Sequence, residues 1–222
     1  MKLLFSFILI LFFFCISCGT QSNKTDDPPQ PVVHMFGNSL FAWNDHGVKR
    51  ALNEYGLDNI ADHSVIGETA FQIQMQYLGA INSGQKVDVA IIDAGANDMF
   101  LHADSCYGYS RITYECKKII ETAILKTQYD MITLMKAEGT KKIAVLTPYH
   151  LIGVASGFNV VGEYAHTLYP SICYSNTETE CVLVDPRQAF DDGKDLFFID
   201  GIHPSVKGDH VLARLILNAF NL

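Results

Sequence analysis

Four short stretches carry residue types that suffice for acyl transfer if a fold brings them together. Ser39 stands in Gly37-Asn38-Ser39-Leu40, Gly67 in Val65-Ile66-Gly67-Glu68, Asn97 in Gly95-Ala96-Asn97-Asp98, and His203 in Asp200-Gly201-Ile202-His203-Pro204-Ser205. A serine hydroxyl is hardly ionised at neutral pH, so it attacks a carbonyl only when an imidazole takes its proton. A carboxylate on the other ring nitrogen then fixes the tautomer. The oxyanion that develops needs hydrogen-bond donors, which a glycine backbone or an asparagine amide supplies. Asp200 and His203 are three residues apart, so one turn of chain holds both. Each piece alone also has an ordinary reading: Ser39 as a helix cap, the glycines and Asn97 as turn residues, His203 as a residue at a helix start.

Other ionisable residues weigh less. Asp45-His46, Asp62-His63 and Asp209-His210 are neighbours in sequence, and adjacent side chains point apart, so surface polar groups are expected. Asp93 lies in a hydrophobic run, where burial would require a partner, and reads as structural or supporting. No CxxC or HExxH spacing is present, so neither a metal nor a cofactor is implied.

The elements that must position these residues follow from periodicity. Apolar runs at 32–37, 59–65, 87–95, 141–149 and 181–187 suit strands buried on both faces of a parallel sheet. Helical patterns lie between them at Asp45–Tyr55, Glu68–Ile81, Ile112–Ala137 and Asn159–Leu168, with a last helix from Pro204 to Phe220. The alternation predicts an α/β fold of right-handed βαβ units. The expected architecture is a three-layer α/β/α sandwich with a five-stranded parallel sheet in the flavodoxin-like order 2-1-3-4-5. Gly56 and Gly139 are placed to end helices, and Pro204 to open the last one. In such sheets ligands bind at the carboxyl ends of the strands, where the strand order reverses. All four stretches fall there.

The chain opens on MKLLFSFILILFFFCIS, an apolar run too short to span a membrane comfortably, which reads as a secretory signal over residues 1–17. Cys15-Ile16-Ser17-Cys18 resembles the lipobox of bacterial lipoproteins, apart from Cys where Leu is usual. That resemblance implies lipidation of Cys18 and anchorage to a membrane in the cell envelope, with an ordinary soluble secreted protein as the alternative; the polar, proline-bearing stretch that follows makes 18–31 a flexible linker. The folded domain is expected over 32–222. Export favours disulfides, and Cys106 with Cys116 and Cys173 with Cys181 form the simplest of three connectivities; four unpaired thiols are the alternative. The net charge of −8 becomes −9 once Lys2 leaves, and an acidic domain without a basic run is a poor partner for nucleic acid.

From Val32 onward the chain resembles the SGNH hydrolases, also called GDSL lipases and esterases. GNSL at 37–40, Gly67, GAND at 95–98 and DGIH at 200–203 match the family's four blocks in order. The resemblance implies Ser39 as nucleophile, His203 as general base and Asp200 as its orienting acid, with an oxyanion hole from the Ser39 and Gly67 N–H groups and the Asn97 amide. One position departs from the pattern: Asn38 stands where the family usually has Asp. The implied activity is a serine esterase acting on a short, acetyl-type acyl ester of a carbohydrate or other small envelope or extracellular substrate. Lysophospholipase or thioesterase action, acyl transfer by the same triad, and a silent tethered binding module are the alternatives. Tyr107, Tyr109, Tyr114, Tyr164 and Tyr169 lie in loops that could stack on sugar rings, or simply pack those loops onto the domain.

Overall fold

The computed structural model describes residues 32–93, 95–175, 178–191 and 193–221; the signal, Cys18 and the linker to residue 31 lie outside them. Five strands, β1 (Val33–Phe36), β2 (Ile60–Asp62), β3 (Val89–Asp93), β4 (Lys142–Leu146) and β5 (Glu180–Val184), form a sheet in the order β2-β1-β3-β4-β5. Every pairing is parallel, with Val33 opposite both Ile60 and Val89. Met35, Ile91, Ala144 and Val184 project to one face, and Phe36, Ile92, Val145 and Cys181 to the other. Helices cover both faces, so both sets of side chains are apolar and the strands read as unbroken hydrophobic runs.

The first face is covered by α1 (Ser39–Glu54) and α9 (Val206–Phe220). The second is covered by α2 (Ala70–Asn82), α6 (Lys126–Ala137) and α7 (Asn159–Ile172). Short helices α3 (Ala96–Leu101), α4 (Ala103–Cys106) and α5 (Tyr114–Ile119) follow β3, and α8 (Arg187–Asp191) follows β5. The expected three-layer α/β/α sandwich and strand order are both present. The disulfides Cys106–Cys116 and Cys173–Cys181 close two local loops.

Several boundaries differ from the sequence reading. The helix expected over Asp45–Tyr55 is the regular part of α1, beyond a break at Trp43–His46; ahead of the break lies a short helical turn from Ser39, which the Asn38 side chain caps by accepting from the Leu40 N–H at 3.0 Å. The stretch expected as one helix over 112–137 starts at Tyr114 and contains a wide π turn, Ile120–Leu125, between α5 and α6. Pro204 does not occupy the first turn of α9. Ser205 caps that helix by accepting from Gly208 N–H, and Pro204 pairs with Phe197 in an isolated bridge before it. The strands stop short of their apolar runs, whose ends become the loops that build the site. Gly56 and Gly139 follow α1 and α6, as expected.

Candidate active site

The loop ahead of α9 is pinned before any chemistry is considered. Phe198 N–H donates to His203 C=O at 2.8 Å, Ile152 N–H to Gly201 C=O at 3.0 Å, and the Tyr149 hydroxyl to Ile202 C=O at 2.6 Å. On this frame the Asp200 Oδ1 accepts the Ile202 and His203 N–H groups at 2.9 and 3.0 Å, while its Oδ2 stands 2.6 Å from His203 Nδ1. Partial burial opposes the charge on Asp200, but these hydrogen bonds outweigh it and hold the carboxyl below its usual range. An ionised Asp200 therefore takes a proton-bearing Nδ1, and Nε2 is left as the nitrogen available to accept a proton.

Ser39 opens α1 immediately beyond β1, at the point where the strand order turns from β2 to β3. It lines a cleft of about 660 Å³, open mouth included, together with His203. Leu40, Met99, Phe100, Leu151, Phe158 and Ile202 make the remaining wall mostly apolar. Asp93, the last residue of β3, also borders this cleft and is buried. Burial raises its carboxyl to about 7 even though the Asn38 backbone N–H donates to it, and its Oδ2 has no protein partner. A carboxylate at position 38 would stand beside this second acid. The neutral Asn38 side chain makes the capping bond to Leu40 while its backbone N–H donates to Asp93.

Gly67 and Asn97 meet at the loop after β2. The Asn97 Nδ2 donates to Glu68 C=O at 2.8 Å, one residue beyond Gly67, whose φ of +85° is the left-handed region that favours glycine. Neither residue lines the apolar cleft itself. The loops are laced together by residues to which sequence reasoning assigned no role. Gln76 of α2 accepts Gly37 N–H at 3.0 Å, donates to Gly37 C=O at 2.9 Å and also donates to Glu68. Asp98 Oδ2 accepts Ala70 N–H at 2.8 Å at the start of α2. Gly95, with φ +106°, has its α-carbon packed so that a Cβ would lie 2.4 Å from Ile124 of the π turn.

The chain leaves helical geometry inside α1. Trp43 is extended (φ −66°, ψ 159°), and Asn44, Asp45 and His46 then take φ of 52°, 54° and 57°. Three successive non-glycine residues in this region cost roughly 1–2 kcal/mol each. The turn is anchored by Asn44 Nδ2, which donates to Pro204 C=O at 3.0 Å and Asp209 Oδ2 at 2.9 Å, and by His46 Nδ1, 2.8 Å from Asp62 Oδ2. Its result is that the Trp43 indole lies on the His203 ring, centroids 3.9 Å apart and planes 9° from parallel. The Asn-Asp-His-Gly run after Trp43 was the available signal, since Asn, Asp and His are enriched in left-handed backbone.

The Asp-His neighbours do point apart, but two of the acids are not surface groups. The Asp62 side chain is 2% exposed and accepts Ser64 N–H at 2.9 Å in addition to facing His46. Asp209 is 1% exposed, and burial raises it to about 7 against the opposing hydrogen bond from Asn44. Among the tyrosines, Tyr169 is buried in the core, while Tyr107 and Tyr109 donate to the Val154 and Asp104 carbonyls. Tyr164 donates to Glu121 and Tyr114 is 76% exposed; the aromatic faces of the cleft are Phe100, Tyr149 and Phe158.

A family model described as GDSL-like lipase/acylhydrolase matches residues 35–216. No curated protein matches the sequence significantly. A carbohydrate esterase of family 3 from Talaromyces cellulolyticus superposes with a TM-score of 0.61 at 19% identity, covering 85% of this chain and 95% of that one. The C-terminal catalytic domain of a peptidoglycan O-acetyltransferase from Streptococcus pneumoniae gives 0.57 at 13% identity, covering 86% and 93%. A lipase from goat rumen metagenome gives 0.61 at 16% identity, covering 84% and 96%. At these identities the likeness is one of fold.

Proposed function

Since the chain belongs to the GDSL-like lipase/acylhydrolase family, we propose that its ester hydrolysis runs through an acyl-serine at Ser39. The observation that carries this reading is the His203–Asp200 pair, 2.6 Å apart, opening into the cleft that Ser39 lines. In this mechanism His203 Nε2 takes the Ser39 proton as Oγ attacks the carbonyl, and returns it to the leaving alcohol. Asp200 holds the ring and stabilises the imidazolium between the two transfers. The oxyanion is received by the N–H groups of Ser39 and Gly67 and by the Asn97 amide, whose nitrogen has a second hydrogen beyond the one given to Glu68. Water then attacks the acyl-serine with His203 again as base.

The substrate in this reading is a short-acyl, acetyl-type ester on a carbohydrate or similar hydroxyl-rich molecule. The acyl group would sit against the apolar wall. A second, exposed groove on the same edge of the sheet, lined by His150, Glu163, Asp185, Arg187, Gln188 and Asp191, supports a polar alcohol part. The two disulfides and the apolar N-terminus support an exported enzyme, held by lipid at Cys18.

The test is labelling with a fluorophosphonate, followed by an acyl-ester series of increasing chain length with and without sugar acceptors. Parent protein should label and Ser39→Ala should not, with hydrolysis falling by about 10³-fold or more in the variant. Transfer to the sugar exceeding hydrolysis would reassign the chain as a transferase, and an unlabelled parent would remove the acyl-serine altogether.

A further inference from the structure

We propose that Trp43 and Asn44 form a clamp that sets the position of the His203 ring, which makes Trp43 a positioning residue for the general base. The inference rests on reading His203 as that base. The Asp200 hydrogen bond holds only the Nδ1 edge of the imidazole, and a ring held at one edge still tilts about it. The Trp43 indole, 3.9 Å away and 9° from parallel, removes that tilt by covering one face. Asn44 holds the main chain as well, because the carbonyl it bonds belongs to Pro204, the residue after His203.

Both clamp residues lie on the segment that carries Ser39, four and five positions after it. One short stretch of chain thus bears the nucleophile and the parts that fix the base, so the spacing of the two is set locally rather than through the whole sheet. The left-handed run Asn44–His46 is what swings Trp43 out of the helix and onto the ring. Strained backbone maintained by bonds to Asp209, Pro204 and Asp62 has this placement as its structural result. The contact is also chemically directional. A cation is drawn to an indole face, so the stack favours the imidazolium that forms as Ser39 gives up its proton over the neutral ring that precedes it.

Trp43 is the only tryptophan in the chain, so its fluorescence reports the contact directly, because a stacked imidazolium quenches indole emission. His203→Gln takes the ring off the indole, so at one fixed pH its emission should exceed that of the parent. Trp43→Leu should lower kcat about tenfold with KM within about twofold, while Trp43→Phe, which keeps an aromatic face, recovers to within about threefold of the parent. Equal emission in the parent and His203→Gln, or equal kcat in the Leu and Phe variants, overturns the clamp. If Trp43→Leu fails to fold, the emission of the parent against that of His203→Gln alone decides. Failure of the parent to label with fluorophosphonate would instead overturn the function on which the clamp rests.

Discussion

Asn97 and Asn38 show how single side chains divide the work at this site. Asn97 is tied to Glu68 by one amide hydrogen, and in the proposed mechanism the other is offered to the oxyanion, so its loss would remove a donor needed most when negative charge develops. Asn97→Ala is expected to cut kcat by about 10²–10³-fold with a much smaller rise in KM, read from steady-state kinetics on a small acyl ester. Asn38 presents the opposite case, a position where charge is unwelcome. Asn38→Asp sets a carboxylate beside buried Asp93, and activity should fall most steeply above about pH 7, where Asp93 itself ionises. Asp93→Asn in the same chain should restore it, since only one acid then remains. An Asn38→Asp enzyme with the parental pH profile would show that the two groups do not interact.

Among the elements, the π turn and the loop disulfide hold the third block against the second face of the sheet. Gly95→Ala faces both an unfavourable φ of +106° and a Cβ 2.4 Å from Ile124, and should cost about 2–4 kcal/mol in urea melts. Adding Ile124→Ala relieves the collision but not the backbone, so rescue should be partial. Replacing Cys106 and Cys116 by Ser should cost about 2–3 kcal/mol for a loop of this size, measured in the same way. The strands and main helices were legible because apolar periodicity is a direct image of which faces are buried. Three of the four candidate blocks were legible because they follow β1, β2 and β3; the fourth lies well beyond the end of β5, after α8, and the structure pairs Asp200 with His203, which borders the cleft of Ser39. What stayed hidden depends on partners distant in sequence. Gln76 looks like any exposed helical polar residue until Gly37 lies beside it, and Asp62 and Asp209 read as surface acids until His46 and Asn44 turn back to meet them. The π turn does mark the sequence, though only weakly: the buried residues Cys116, Ile120, Ile124 and Gln128 recur every four positions, a slower period than an α-helix keeps, and four such positions are too few to separate it from an ordinary helix without the structure.

Across the whole molecule, Asp93 and Asp209 couple folding to pH. Each has an ordinary value of 3.8 and is raised by burial to about 7 in the fold, so folding takes up protons between those values. Their contribution to stability is full below about pH 4 and is lost as pH rises through about 7. Asp93→Asn should therefore gain on the order of 1–3 kcal/mol at about pH 8 and almost nothing at about pH 4, by denaturant titration at each pH. The direction shared by all five strands has a further result. The chain enters β1 at Val33, on the rim where every strand begins, and Ser39, Asn97 and the Asp200–His203 loop gather on the rim where every strand ends. Anything that holds the protein by the residues before Val32, whether a lipid or a laboratory bead, meets the blunt pole of the domain. The mouth, on the opposite rim, is left clear of the point of attachment.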